Sequence, residues 1–521
     1  MIISLNREKF SSPFFQWLLI ALFIVVATTA VAFYAHNSSR FTPSIHDELS
    51  YLFQARTFLA GRFTNPVHPE KLFFDQYHVI NEGSYTSKYF PGTALTMLPA
   101  VALGQPYAAG IILYGLQLLL VFLIGQSLFG RQAAWLGMIL TSFSPQIVLQ
   151  TCFLLSHLPC AFYLLLFFYG FIRSQKNNPT IWILISGAGW TLAFLTRPLT
   201  AVSFAFPIAM IVLHQTLRRK IPKPKKTLLL WAIPILFALI CYFSYNKTVT
   251  GNWLKTPFES YAEIHAPFHR YGFHTWDRYA DQAEGPRVDQ RFNQMYHNHT
   301  LTSGFWFAGI RLAFFIKFLF GEIRFFSYNI YMGFFALALW FWGLLRRDPN
   351  HFLILGIWLS VQLFHIPHWY PGILSFGSNY LYETTGLVLL AVSDVLIRKI
   401  SSFKITRWKM ILGSTFLILC LAGSYSSLKY RNEVILLSKT PFFWIHQEIN
   451  KRNIEKAVIF VRYPPDHDLN TDVIDNTPSL NAWIIYARDR GKENLKLKKY
   501  YPGYVFYLWD YAEATLTPLK I

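Results

Sequence analysis

Apolar positions in this chain come in long, nearly unbroken runs, without the alternation of a half-buried strand or the single stripe of a surface helix. A run of about 17 to 25 residues matches the hydrocarbon thickness of a bilayer. Such runs fall at 14–34, 107–128, 133–150, 156–172, 180–197, 199–214, 227–245, 325–345, 350–366, 380–397 and 409–427. They predict an all-α polytopic membrane protein with about eleven transmembrane helices. A twelfth candidate, GFWFAGIRLAFFIKFLF at 304–320, is interrupted by Arg311 and Lys317. Counting it as a span would place Arg346 and Arg347 outside, so it reads as an amphipathic helix at the outer interface.

Composition agrees with that pattern. Of 521 residues, 53% are hydrophobic and 14% charged, with mean hydropathy +0.30, whereas soluble domains carry about a quarter charged residues. A water-soluble enzyme, a disordered protein and a small secreted scaffold are all excluded. The formal charge of +20 invites a nucleic-acid reading, but its placement decides otherwise. With a cytoplasmic N-terminus, the short inner loops hold eighteen Lys/Arg and two acids, Glu8 and Asp348. The outer loops are balanced. This asymmetry is the positive-inside rule, and no nucleic-acid partner is needed. The expectation is a multi-pass inner-membrane protein with its C-terminus external. The first run is longer than a signal-peptide core and reads as an uncleaved anchor. Cys152, Cys160, Cys241 and Cys420 lie within or beside apolar runs, with no disulfide or metal-type spacing.

Polar sequence concentrates in the external loops 35–106 and 246–324 and in the segment 428–521, and chemistry is expected there. The body is taken as 1–427, and 428–521 as a small external (periplasmic) α/β domain: AVIFVRY at 457–463 reads as a strand, NAWIIYARD as a second strand or strand–helix edge, and Tyr501-Pro-Gly as a turn. No catalytic set is visible in it.

The first outer loop opens with PSIHDELSYLFQARTFLAGRF. Ser44 and Asp47 have capping-box spacing with Asp in place of Glu, and Gly61 is a helix stop. Leu49, Leu52, Phe53 and Leu59 form an apolar face for a helix lying along the membrane. Asp47 and Glu48 then fall in its first turn, where the helix dipole favours acids whatever their use. A partly desolvated carboxylate at the outer surface is also what a general base requires. The loop closes with SYTSKYFPGTALTMLPAVALG; Lys88 can snorkel there or bind a lipid-linked phosphate. His46, His68 and His78 show no metal spacing and read as solvated. The His- and aromatic-rich 265–279 reads as an interfacial belt.

An Asp-Glu pair just after the first span, a long first loop closing with Lys-aromatic-Pro, and a multi-span body resemble the GT-C membrane glycosyltransferases, in particular the protein mannosyltransferase and aminoarabinose transferase-like (family 39-type) branch. HDE and KYFPG are the most specific matches. WTLAFLTRPLTAV at 190–202, Thr250-Gly251 and PGILSFGSNYLYE at 371–383 extend the similarity over most of 14–400. The resemblance implies a polyprenyl-phosphate sugar donor, inverting transfer on the external face, and Asp47 as base. Glu48 would orient the acceptor or Asp47, and Lys88 with Arg197 would neutralise the leaving phosphate. The chain departs from the pattern in three places. Ser50 stands where aminoarabinose transferases tend to have Arg. Ser156 and His157 stand where many relatives have a second acid. Asn379 precedes Tyr380 where Arg is common. Ser156, His157, Tyr380 and Glu383 are therefore candidate substrate contacts, with Glu383 also a candidate partner of Arg197. Because hard cations want oxygen ligands, the missing acid argues that no metal is required, although a divalent ion stays open. The expected partners are the lipid-linked donor, a lipid, glycan or protein acceptor, and membrane lipids. The alternative is a transporter of lipid-linked glycan or a non-catalytic membrane scaffold.

Overall fold

The structure, a computed structural model, describes residues 13–43, 45–176, 179–218, 224–265, 269–275, 298–325, 328–374, 377–403, 405–465, 467 and 472–519. Helix α1 (Pro13–Ser39) leads into the segment expected to be the first outer one, which contains α2 (His46–Leu59) and a hairpin of β1 (Val79–Glu82) and β2 (Ser84–Ser87). The body follows as α3 (Pro91–Ala102), α4 (Pro106–Leu128), α5 (Arg131–Phe143), α6 (Pro145–Thr151), α7 (His157–Ser174), α8 (Pro179–Thr196), α9 (Pro198–Leu217) and α10 (Pro224–Thr250). After the short α11 (Pro257–His265) come α12 (Leu301–Phe320), the hairpin β3 (Glu322–Phe325) and β4 (Tyr328–Tyr331), then α13 (Met332–Leu344) and α14 (Pro349–Phe364). The two-residue strands β5 (Ile373–Leu374) and β6 (Gly377–Ser378) precede α15 (Thr385–Ser402) and α16 (Thr406–Lys451). Many of these helices start at proline, whose fixed φ and missing N–H suit the first helical turn.

Among the described residues, eight helices are long and apolar enough to cross a membrane: α1, α4, α7, α8, α9, α12, most of α10, and Met410–Leu437 within α16. The chain is a multi-pass membrane protein. Local sequence explains where the helices depart from the apolar runs. The run 133–150 is split because Pro145 pushes Ser144 out of helical geometry, to φ −60 and ψ 123. The run 325–345 begins with the β3–β4 hairpin, leaving α13 with only 13 residues. Gly321 before that hairpin has φ +69, and a Cβ there would strike the Gly423 carbonyl of α16; no other residue permits both. The segment 304–320, expected at the interface, forms α12, which meets the length and apolarity of a span, and Arg311 turns into the protein rather than to water.

Within the body, α7 packs on α8 and α4, α8 on α10, α5 on α15 and α14 on α9. Their shared core includes Leu164, Phe168, Phe204, Trp340, Leu387 and Leu390. The position 427/428 lies inside α16, which is continuous for 46 residues. Beyond it, β7 (Ala457–Arg462), β8 (Ile484–Arg488), β9 (Val505–Asp510) and β10 (Thr515–Pro518) form one sheet in the order β10-β9-β7-β8. β7 is parallel to both neighbours and β9–β10 is antiparallel. One face of this sheet shares a core with Phe53, Phe73, Phe74 and Tyr85 of the first outer segment. The other packs on Phe442, Ile445 and Ile449 of α16, with Leu49. The first loop is thus clamped between the membrane body and the C-terminal sheet.

Candidate active site

Helix α2 carries the leading acids. Its N-cap is Ile45, which makes no side-chain cap, and Ser44 of the expected capping box lies outside the described residues. The Asp47 carboxylate accepts a hydrogen bond from the Tyr89 hydroxyl. His46 Nε2 lies 3.1 Å from its Oδ2 and His78 Nδ1 3.7 Å from its Oδ1. Tyr89 Oη also lies 2.7 Å from His78 Nδ1. Since its one proton goes to Asp47, His78 must be the donor in that contact and carry its proton on Nδ1. Both histidines are buried, not solvated as the bare loop sequence implies, because Tyr77, Tyr89 and Tyr261 close around them.

Burial works against charge on Asp47, but His46, the hydrogen bonds from His46 and Tyr89, and Lys88 outweigh it and hold the carboxyl down, at about 2. Burial, then the charges of Lys88 and His46, push His78 well below the usual imidazole range. The result is an ionised carboxylate beside a neutral imidazole. Lys88 is 5% exposed, with its ammonium 4.7 Å from the Tyr261 ring, 4.9 Å from Phe258 and 5.4 Å from Tyr89. Aromatic faces stabilise a cation without neutralising it, and the Lys88 charge also helps to hold Asp47 ionised.

Glu48, about 100° further round the helix, faces elsewhere. It is fully buried and accepts 3.0 Å hydrogen bonds from Tyr107 Oη and the Leu154 amide. These bonds fasten the start of α2 to the membrane body.

The remaining candidates assemble at a second cluster. Arg197 sits in the break between α8 and α9, held out of helical geometry by Pro198. Its Nη1 donates to Ser156 Oγ at 3.0 Å and its Nε lies 3.2 Å from Glu383 Oε1. His157 Nδ1 is 3.5 Å from the same oxygen, and the guanidinium stands 5.5 Å from the Tyr380 ring centre. Glu383 thus supplies an acid next to the position where the sequence shows only Ser156 and His157. Arg311 approaches the same ring at 5.4 Å. It is fully buried, donates to the Pro371 and Tyr370 carbonyls, and has no carboxylate partner among the described residues. A charge inside a 20-residue apolar helix was the available signal for Arg311, since such residues are costly and mark sites or pairs. Gly372, at φ +67, admits the Tyr380 ring where any Cβ would collide with it. Tyr51 stacks on Tyr89 at 4.3 Å.

His46, Asp47 and His78 each offer one donor atom, all within 4.8 Å. Two imidazoles and one carboxylate suit a borderline ion such as zinc better than magnesium or calcium. Tyr89 and the histidines already satisfy the carboxylate, however. Of the belt segment 265–279, residues 266–268 and 276–279 lie outside the described residues; His269 stacks on Trp369 at 3.6 Å.

Residues 95–243 match the family model of dolichyl-phosphate-mannose-protein mannosyltransferases. That match runs from α3 through α10 of the helical body. The fold of the chain is similar to that of ArnT from Cupriavidus metallidurans bound to undecaprenyl phosphate, with a TM-score of 0.53 at 13% identity over 93% of each chain. The apo state of that protein gives 0.48 at 14% identity, over 94% of this chain and 93% of that one. An oligosaccharyltransferase from Archaeoglobus fulgidus gives 0.46 at 13%, over 78% of this chain and 56% of that one. The fold assignment rests on the first of these. No curated protein matches the sequence.

Proposed function

We propose that the chain transfers a sugar from a polyprenyl-phosphate carrier to an acceptor hydroxyl at the outer face of the membrane, with inversion at the sugar carbon. The observation that carries this reading is the pairing of an ionised, enclosed Asp47 with a buried Lys88 ringed by aromatic faces on the same closed loop. Asp47 takes the acceptor proton as the acceptor oxygen bonds to the sugar carbon. The bond from that carbon to the phosphate oxygen breaks with its electron pair, and Lys88, Arg197 and Arg311 stabilise the departing phosphate. Preorganised cations at developing negative charge are usually a large share of catalysis. Glu48 positions Asp47 by anchoring α2. The inner-loop charge favours a cytoplasmic N-terminus and an external C-terminus. The undecaprenyl phosphate held by the similarly folded ArnT supports a lipid-phosphate donor.

Asp47→Asn keeps size and hydrogen bonding but cannot take the proton. Transfer in proteoliposomes should fall by about 10²–10⁴ with donor binding nearly kept; near-normal transfer overturns the assignment. No metal is required in this reading, so transfer should persist in chelator.

A further inference from the structure

The first outer segment and the C-terminal sheet enclose a cavity of about 300 Å³, lined in part by Asp75, Gln76, Tyr77, Tyr261, Tyr463 and Arg488. That volume is at the small end of ligand pockets, about 300–1,000 Å³. Gln76 is 5% exposed, and neither its amide nitrogen nor its amide oxygen finds a hydrogen-bond partner among the described residues. An unpaired buried amide is costly, and this one lines an open cavity. Its fixed donor and acceptor, side by side, match adjacent hydroxyls of a sugar, each of which both donates and accepts. The tyrosines offer ring faces with polar edges, as sugar rings require. The charges are already spent internally: Arg488 pairs with Asp472 at 2.6 Å and donates to the Asp75 carbonyl at 2.8 Å, and Asp75 accepts from Asn81. Among the described residues the one arginine lining the cavity is already paired, so an anionic headgroup gains little there, which favours a neutral ligand.

We infer that this cavity binds a neutral sugar ring of a glycan-bearing acceptor. Tyr77 and Tyr261 form both its wall and the packing of the base: Tyr77 lies 4.3 Å from the rings of His46 and of His78, and Tyr261 5.7 Å from His78. One aromatic layer separates the cavity from the Asp47 cluster, so a bound ring holds the next acceptor hydroxyl near the carboxylate. Tyr463 and Arg488 give the C-terminal sheet a part in choosing the acceptor. The acceptor role rests on the transferase reading above; sugar binding itself does not.

The test uses the full chain in nanodiscs and saturation-transfer NMR with methyl glycosides of glucose, galactose, mannose and N-acetylglucosamine. At least one should receive saturation from the native protein and equally from Asp47→Asn, whatever the fate of transfer. Gln76→Met should weaken that glycoside about tenfold through two lost hydrogen bonds, with an unchanged or higher melting temperature, since it removes an unpaired buried amide. Independently, the same glycoside should slow maleimide labelling of Pro465→Cys at the cavity rim. No saturation of any glycoside, full binding by Gln76→Met, or unprotected labelling each overturns the inference. Loss of transfer in Asp47→Asn with binding intact keeps the two readings distinguishable.

Discussion

Replacing Glu383 by Gln removes the one carboxylate that faces Arg197 among the described residues. The two groups are 3.2 Å apart, with side chains 0% and 16% exposed. At that separation an effective dielectric of about 20 gives an attraction of about 5 kcal/mol before desolvation is charged against it. Removing one member of such a buried pair costs roughly 3–5 kcal/mol, because the other charge stays buried and unpaired. Glu383→Gln should therefore lower the apparent melting temperature sharply in detergent and shorten the life of monodisperse protein in size exclusion. Arg197→Met/Glu383→Leu, which removes both charges for similar volume, should recover most of that stability, since apolar replacement of a buried pair is often neutral. It should nonetheless transfer poorly, because a phosphate contact has gone. If Glu383→Gln melts like the native chain, the pair is solvated and the energetic argument fails. If the double variant transfers normally, Arg197 is a structural counter-ion and Lys88 and Arg311 hold the phosphate without it.

Lys88→Ala should weaken binding of polyprenyl phosphate about ten- to a hundredfold, the range for loss of a charged hydrogen bond of about 1.5–3 kcal/mol, as read by titration of the carrier into nanodiscs. A carboxyl held at about 2 is ionised above that pH, so base competence rises through it and is complete well before neutrality. The transfer rate should accordingly show no acid limb from Asp47 between about pH 5 and about pH 7; a limb in that window that moves on substitution of Asp47 would contradict its enclosure by His46, Tyr89 and Lys88. Truncation before Ala457 should strip the cover from Phe53, Phe73 and Phe74, and limited proteolysis should then cut the first outer segment faster than in the full chain.

Much of this site was legible in the sequence because its members occur where sequence carries strong local signals. Asp47 and Glu48 open a helix beside an anchor, Lys88 precedes a Pro-initiated helix, and Arg197 stands at a break between two apolar runs. What sequence could not supply was the direction each side chain takes. Asp47 and Glu48 are neighbours with opposite fates, since one helical step sends the first to His78 and Tyr89 and the second to Tyr107 and Leu154. His78 read as solvated because part of its cover, Tyr261, comes from a helix 183 positions away. The hairpin at 322–331 was hidden for a related reason: Phe325, Phe326 and Ile330 join the apolar run that follows, and a short apolar stretch does not by itself separate a strand from a helix.

Arg311 shows how a sound local rule can point away from the chemistry. Two charges in a 17-residue window argue against a span, because each is costly in hydrocarbon, and the inner-loop balance argues the same way. Yet Lys317 reaches Glu322 just beyond the helix end at 3.5 Å, and Arg311 is taken into the protein by two carbonyls and the Tyr380 ring. Arg311 is buried and Lys317 is paired near the helix end, so the two charges weigh less against the helix than their sequence positions imply. Carbonyls and a ring do not neutralise a guanidinium; they orient it. Arg197 beside it has Glu383, so of the two arginines flanking Tyr380, Arg311 carries the charge that a phosphate would gain most by meeting. Arg311→Gln should therefore weaken carrier binding more than Arg197→Gln, and the reverse order in the same titration would place the phosphate on the Glu383 side of the ring.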